Sequence, residues 1–417
     1  MEFSSFGRRF AGQSGISNLM QDLGEALHIN PEMIFMGGGN PARIPEIETI
    51  FEAALKSIAN DSKKRNLMLS AYMPPQGEPA FLKALAELLN HLHGWNVSDK
   101  NIAISNGSQA AFFSIFNMFG GDYPDGSHRQ IQLPLAPEYV GYTDAGLSDD
   151  FFAATKPSIE LLDNHQYKYH VDFDKLSIGE RTAALCVSRP TNPTGNVLTN
   201  AEIHKLDQMA RANDLPFIID GAYGTPFPNI IFTDVEPLWN ENIILMLSLS
   251  KLGLPALRSG IVVANEDIIE GFTRVNSIMN LSTGSAGQVM GMELIERGEL
   301  MNLCNNIVQP YYKRRSAEVC AQFTDALQGT PFRIHKPEGA IFLWLWFADM
   351  PISSQELYQR LKARGVLIIP GESFFPGINE DWRHKQECIR VNYTANPSDV
   401  DQGVAIIAEE VKRAYNA

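Results

Sequence analysis

NIILMLSLSKLGLPALRSG, residues 242–260, carries an apolar run straight into a lysine. The run has no polar alternation, so it reads as a strand buried on both faces. Lys251 stands just past its carboxyl end, with hydroxyls at Ser248, Ser250 and Ser259 and a guanidinium at Arg258 close by. An amine in apolar surroundings loses hydration and its pKa falls, so such a lysine is either a working nucleophile or a solvated accident.

Other segments end in the same way. NIAIS (101–105), IQLPL (131–135), AALCVS (183–188), PFIID (216–220) and GIVVA (260–264) read as further buried strands, and helical patterns alternate with them from about residue 46 to 290. FLKALAELLNHL places Phe81, Leu85, Leu88, Leu89 and Leu92 on one face and is an amphipathic helix. The expected architecture is α/β, with a large, mainly parallel-sheet domain over 46–295. Past about residue 300 strands are fewer (GAIFLWLWF, VLIIP, CIRVNY), which predicts a smaller α/β domain over 296–417. Its closing helix carries Val400, Val404, Ile407, Val411 and Tyr415 on one face, with Ser398 as the expected N-cap. Residues 1–45 are too few to fold alone and are expected to dock on the small domain.

Composition narrows the function. The 417 residues carry a formal charge of -14, with 44% hydrophobic and 20% charged residues, an ordinary globular profile without the basic stripe that nucleic acid requires. No run approaches the roughly 18 apolar residues that span a membrane, and the first residues lack a signal-peptide core, so a cytoplasmic protein is expected. Cys186, Cys304, Cys320 and Cys388 lie far apart and read as buried thiols, and His91 and His93 do not share a helical face. No metal site is expected.

Ligands of open α/β sheets bind at the carboxyl ends of the strands, and five segments converge there. In SNGSQAAFF, Gly107, Ser108, Gln109 and Ala110 lead from a strand into a helix, so free N–H groups and the helix dipole would face an anion; on its own such a junction is ordinary capping. SRPTNPTGN supplies Asn192, PFIIDGAYG supplies Asp220 and Tyr223, and APEYVGY supplies Tyr139 as an aromatic platform. Together with Lys251 and Arg258 they would satisfy a planar, phosphorylated, cationic heteroaromatic aldehyde, pyridoxal 5′-phosphate. FMGGGNPA also fits a dinucleotide fingerprint through Gly37, Gly39 and Ala42, but Pro41 and Pro45 interrupt the helix that such a fingerprint needs.

The ordered motifs GSQ, PEY, NPTG, DGAY and SLSK, with Arg258 seven residues beyond the lysine, resemble those of the fold type I aminotransferases, pyridoxal-phosphate-dependent transferases. The resemblance covers the whole chain. It implies that Lys251 holds the cofactor covalently and then moves a proton, that Asp220 pairs with the pyridine nitrogen, that Asn192 and Tyr223 bond the phenolic oxygen, and that Tyr139 stacks on the ring. It further implies that Gly107, Ser108, Gln109, Ser248, Ser250 and Arg258 surround the phosphate. Tyr72 in AYMPPQG would reach the phosphate of a neighbouring subunit, which implies a homodimer. Arg390 in CIRVNY would clamp the substrate α-carboxylate, and Gly38 and Gly39 would close over it. The implied substrates are amino acids and 2-oxo acids, with valine as donor and pyruvate as acceptor. The alternatives are another small aliphatic or aromatic donor, or a non-catalytic regulatory module. Glu138, before the stacking tyrosine, departs from the family's usual small residue, and no second arginine is placed for a side-chain carboxylate.

Overall fold

Strand-forming runs in this chain alternate their side chains between two apolar layers. In the computed structural model, which describes residues 2–12 and 15–416, the main sheet contains β1 (Ile102–Ser105), β2 (Gly121–Asp122), β3 (His128–Leu133), β4 (Phe152–Ala154), β5 (Thr182–Ser188), β6 (Phe217–Asp220), β7 (Ile243–Ser248) and β8 (Gly260–Val263). The outer ends of the expected terminal parts, Met1 and Ala417, lie outside the described residues. Ile219, Leu245 and Leu247 enter one core layer, whereas Ile218, Ile244 and Met246 enter the other. This is the period of two that a pleated strand imposes.

The strand order is β1-β8-β7-β6-β5-β3-β2, with β4 also paired to β3. β7, β6, β5, β3 and β4 run parallel, while β8 is antiparallel to both its neighbours and β2 is antiparallel to β3. Parallel registration brings strand ends together: Ser188 of β5 and Met246 of β7 both pair with Asp220 of β6. Each strand expected in this sheet appears within a few residues of its expected limits, whereas VLIIP (366–370) divides into Val366–Leu367 and Ile369–Pro370, which join different sheets.

A second sheet of six strands has the order Ile369–Pro370, Cys388–Asn392, Phe342–Phe347, Phe332–His335, Gln166–His170 and Ser158–Leu161. Its last two strands come from within 46–295, so the hairpin 158–170 adds to the C-terminal sheet by pairing His335 with Tyr167. Nothing in the sequence pattern signalled that exchange, because pairing partners so far apart leave no local mark. At the other end of the chain, Ile34–Phe35 runs parallel to Val366–Leu367, and Lys362 Nζ donates to Asp22 at 2.5 Å.

One helix end differs from expectation. The final helix is Pro397–Tyr415 with Asn396 as N-cap, so Ser398 sits inside the first turn; Pro397 at the first helical position loses no needed hydrogen bond there. Pro45 likewise occupies the first position of the helix Pro45–Asn60, so no helix starts at Gly37–Gly39, in line with the reading of the two prolines there. All four cysteines are buried and unbridged. Among the described residues no helix is long and apolar enough to cross a membrane.

Candidate active site

The carboxyl ends of β5, β6 and β7 open into a cavity of about 420 Å³. Its wall includes Gly38, Gly39, Ser108, Gln109, Tyr139, Asn192, Asp220, Tyr223, Ser248, Ser250, Lys251, Arg258 and Arg390, so all but two of the residues expected to bind cofactor or substrate meet there. The two outside the wall are Gly107, one residue from Ser108, and Tyr72, which is 86% exposed.

Asp220 ends β6 and is 7% exposed. Its carboxylate accepts the Tyr142 hydroxyl at 2.6 Å and the Ala222 N–H at 2.9 Å. Burial pushes its pKa up, against these two bonds and the charge of Lys251. The sequence offered Asp220 no partner, and Tyr142 is the one it missed. A clue lay in PEYVGY, where Tyr142 follows Tyr139 by three residues and so turns a second hydroxyl-bearing ring back toward the strand ends.

Lys251 lies in a short turn after β7 and donates to Gly39 O at 2.6 Å. Burial lowers its pKa to about 8, helped by the like charges of Arg390 and Arg258 and opposed by Asp220. Arg390, on the strand Cys388–Asn392, is 5% exposed and donates to Asn192 Oδ1 at 2.8 Å and to Gly37 O at 2.7 Å. Its guanidinium lies 4.1 Å from the Phe342 ring centroid and 5.1 Å from that of Phe374, and its Nε has no partner among the described residues. Desolvation lowers its pKa to about 10, so it stays charged at neutral pH.

The anion end is made by backbone. Gly107, with φ +95°, caps the helix Ser108–Phe119, and a Cβ at this position would run into Arg258 Nη2. Only glycine lets this helix N-terminus and the guanidinium approach together. Over the cavity runs an extended strap, 36–40: Asn392 Nδ2 donates to Gly38 O at 2.9 Å and Thr394 Oγ1 to Asn40 O at 2.8 Å. The remaining wall is apolar, with Leu23, Phe35 and Ile369.

The cleft thus gathers a buried amine of lowered pKa, a carboxylate bonded only to Tyr142 and a backbone N–H, a helix N-terminus and a charged guanidinium, the equipment of cofactor-dependent group transfer on an α/β scaffold. The chain belongs to the aminotransferase class I and II family, which it matches over residues 36–407; the enzymes of that family depend on pyridoxal phosphate. It is 49% identical over 415 residues to the valine–pyruvate aminotransferase of Escherichia coli (strain K12), covering 100% of this chain and 99% of that one. The crystal structure of valine–pyruvate aminotransferase from Salmonella typhimurium LT2 superposes with a TM-score of 0.89 at 48% identity, covering 96% of this chain and 100% of that chain. Aspartate aminotransferase from Thermus thermophilus shares the fold alone, at 19% identity and a TM-score of 0.78 over 98% of this chain and 100% of that chain.

Proposed function

We propose that this aminotransferase moves the amino group of L-valine to pyruvate, giving 3-methyl-2-oxobutanoate and L-alanine, with pyridoxal 5′-phosphate as cofactor. One observation carries the substrate reading: among the described residues the cavity wall holds no basic side chain besides Lys251, Arg258 and Arg390, and its remaining large side chains are mainly apolar. A second substrate carboxylate would be buried there unpaired, at a cost of several kcal/mol. A branched aliphatic chain meets no such cost. Full-length similarity to the two valine–pyruvate aminotransferases supports the same choice.

The residues fit the cofactor. Ser108, Gln109, Ser248, Ser250 and Arg258, with the Gly107 backbone, would hold the phosphate; Tyr139 would cover the ring; Asn192 and Tyr223 would bond its phenolic oxygen; Asp220 would face the pyridine nitrogen. When bound, pyridoxal phosphate supplies an aldehyde that condenses with amines and a protonated ring that accepts the electron pair released at the substrate Cα. Asp220 keeps that ring nitrogen protonated. Lys251 would hold the cofactor through its aldehyde carbon and, as a free amine, would take up and give back the proton at the substrate Cα; its depressed pKa gives it a neutral fraction near neutral pH. Arg390 binds the α-carboxylate as a fork and so orients the reacting Cα, while Gly38 and Gly39 exclude water above it.

We also infer three parts, a docking segment over 1–45, a cofactor-binding domain over 46–295 and a smaller domain over 296–417, and a homodimer in which Tyr72 reaches the neighbouring phosphate. Steady-state assays with each donor at fixed pyruvate test the substrate reading. Valine, alanine and 2-aminobutyrate should overlap, because one methylene discriminates by only about 1–3 kcal/mol. Preference for aspartate or glutamate over valine would remove the valine assignment.

A further inference from the structure

Glu138 is a charged-type residue for which the chemistry above has no use. It is 1% exposed, held by its own N–H donating to Phe374 O at 2.8 Å. Its Oε1 accepts the Ser188 N–H at 2.8 Å, and its Oε2 lies 2.5 Å from Ser188 Oγ. Ser188 in turn pairs in register with Asp220, and its Oγ stands 3.4 Å from Tyr142 Oη, whose hydroxyl donates to Asp220 Oδ2. Four oxygen-bearing groups thus form a line, Glu138, Ser188, Tyr142, Asp220. Among the described residues no basic side chain bonds Glu138.

Counting protons leaves the line two arrangements. Tyr142 has one hydroxyl proton, already directed at Asp220. Its contact with Ser188 is therefore a hydrogen bond only when Ser188 donates. When Ser188 instead donates to Glu138 Oε2, as it does toward an ionised carboxylate, its 3.4 Å approach to Tyr142 carries no hydrogen bond; the full run forms only when the carboxyl brings a proton of its own. An ionised Glu138 would draw the serine proton back, leave lone pairs facing each other between Ser188 and Tyr142, and set a second anion beside Asp220 in the interior.

We propose that Glu138 is a positioning residue for Asp220: its neutral carboxyl heads a one-way chain of hydrogen bonds through Ser188 and Tyr142 that ends on the Asp220 carboxylate and leaves Asp220 the only anion of the four. The groups facing Glu138 are Asp220 from β6, Cys186 from β5, and Tyr139 and Tyr142 from its own loop. The thiol and Tyr142 are pushed well above their ordinary values by burial, and Tyr139 is pushed up too, so all three are neutral at pH 7. Burial raises Glu138 to about 8, the bonds from Ser188 pulling against it and the charge of Asp220 adding to it. The carboxyl thus keeps its proton below that pH and loses it above. The inference rests on the reading that Asp220 faces the cofactor nitrogen.

Infrared difference spectra of the holoenzyme, titrated from neutral pH through 8, should show a protonated-carboxyl C=O band that disappears as pH rises, is missing in Glu138→Gln and survives in Asp220→Asn. The wild-type band alone already decides whether a buried neutral carboxyl exists. In parallel, the midpoint of the pH-dependent visible absorbance of bound cofactor should move by less than about 0.5 unit in Glu138→Gln, since an amide replaces a neutral acid without a change of charge. Ser188→Ala and Tyr142→Phe, which cut the chain, should move it by about half a unit or more. No titrating band, a band lost in Asp220→Asn and not in Glu138→Gln, or a fall of about a unit in Glu138→Gln each overturns the proposal. A normal band with no shift in Ser188→Ala does the same, by uncoupling Glu138 from Asp220. A protein that gains no visible band on reconstitution would defeat the cofactor reading as well, which separates that failure from a failure of Glu138 alone.

Discussion

Lys251 and Arg390 are both cations in one cavity, yet burial acts on them with different results. Lys251 falls to about 8 and so shares its proton with solvent near neutral pH, whereas Arg390 falls only to about 10 and remains a fixed charge. The capture of pyridoxal phosphate by the apoenzyme, followed by stopped-flow absorbance, should therefore accelerate with pH and level off above about 8, because only the neutral amine attacks the aldehyde. Lys251→Ala should show no such phase and no turnover. For Arg390→Ala, KM for both amino and oxo acids should rise about ten- to a hundredfold, the worth of a charged hydrogen-bonded pair of about 1.5–3 kcal/mol, with kcat also reduced. A normal KM for every substrate would assign the carboxylate to another group.

At the scale of the element, the decisive features are junctions. Gly107 joins β1 to the helix Ser108–Phe119 with a left-handed φ, and any Cβ there meets the Arg258 guanidinium. Gly107→Ala should fold, because the clash falls on a flexible and exposed side chain, but should weaken pyridoxal phosphate about tenfold or more in equilibrium dialysis while leaving the binding of dephosphorylated pyridoxal little changed. Such junctions were legible because a buried strand ending in Gly, Asn, Asp or Lys is a local pattern: Asn192, Asp220, Ser248 and Lys251 stood where expected. What stayed hidden was non-local. The pairing of the hairpin 158–170 with the C-terminal sheet, the reach of Tyr142 to Asp220, the role of Ser188 and the apolar contribution of Leu23 and Ile369 all depend on segments that meet only after folding. The N-cap of the last helix was misplaced for a different reason, since a serine and an asparagine two positions apart are equally good capping residues until Pro397 decides between them.

For the molecule as a whole, a chain that carries -14 also exposes a group of apolar side chains: Leu69 at 74%, Tyr72 at 86%, Ile278 at 87% and Leu281 at 65%. They belong to neighbouring segments, since Ser282 Oγ donates to Met73 O at 2.7 Å and Ser285 Oγ to Met68 O at 2.8 Å. A second copy covering this region is the expected assembly. Sedimentation equilibrium should give twice the chain mass, and Tyr72→Phe should weaken pyridoxal phosphate without altering that mass; a monomer with full activity would refute it. The strap 36–40 ties the two halves of each chain differently, through carbonyls: Gly37 O occupies Arg390 of the C-terminal sheet, and Gly39 O occupies Lys251 of the main sheet. Each cation thus already donates to a strap carbonyl before any ligand arrives, while Arg390 Nε keeps its N–H unpartnered among the described residues. In the role proposed for Arg390, an incoming carboxylate would share the guanidinium with Gly37 O, so ligand and strap would draw on the same charge. A shared charge would hold each carboxylate less tightly than an unshared one, which would suit a catalyst that must empty its site twice in every cycle.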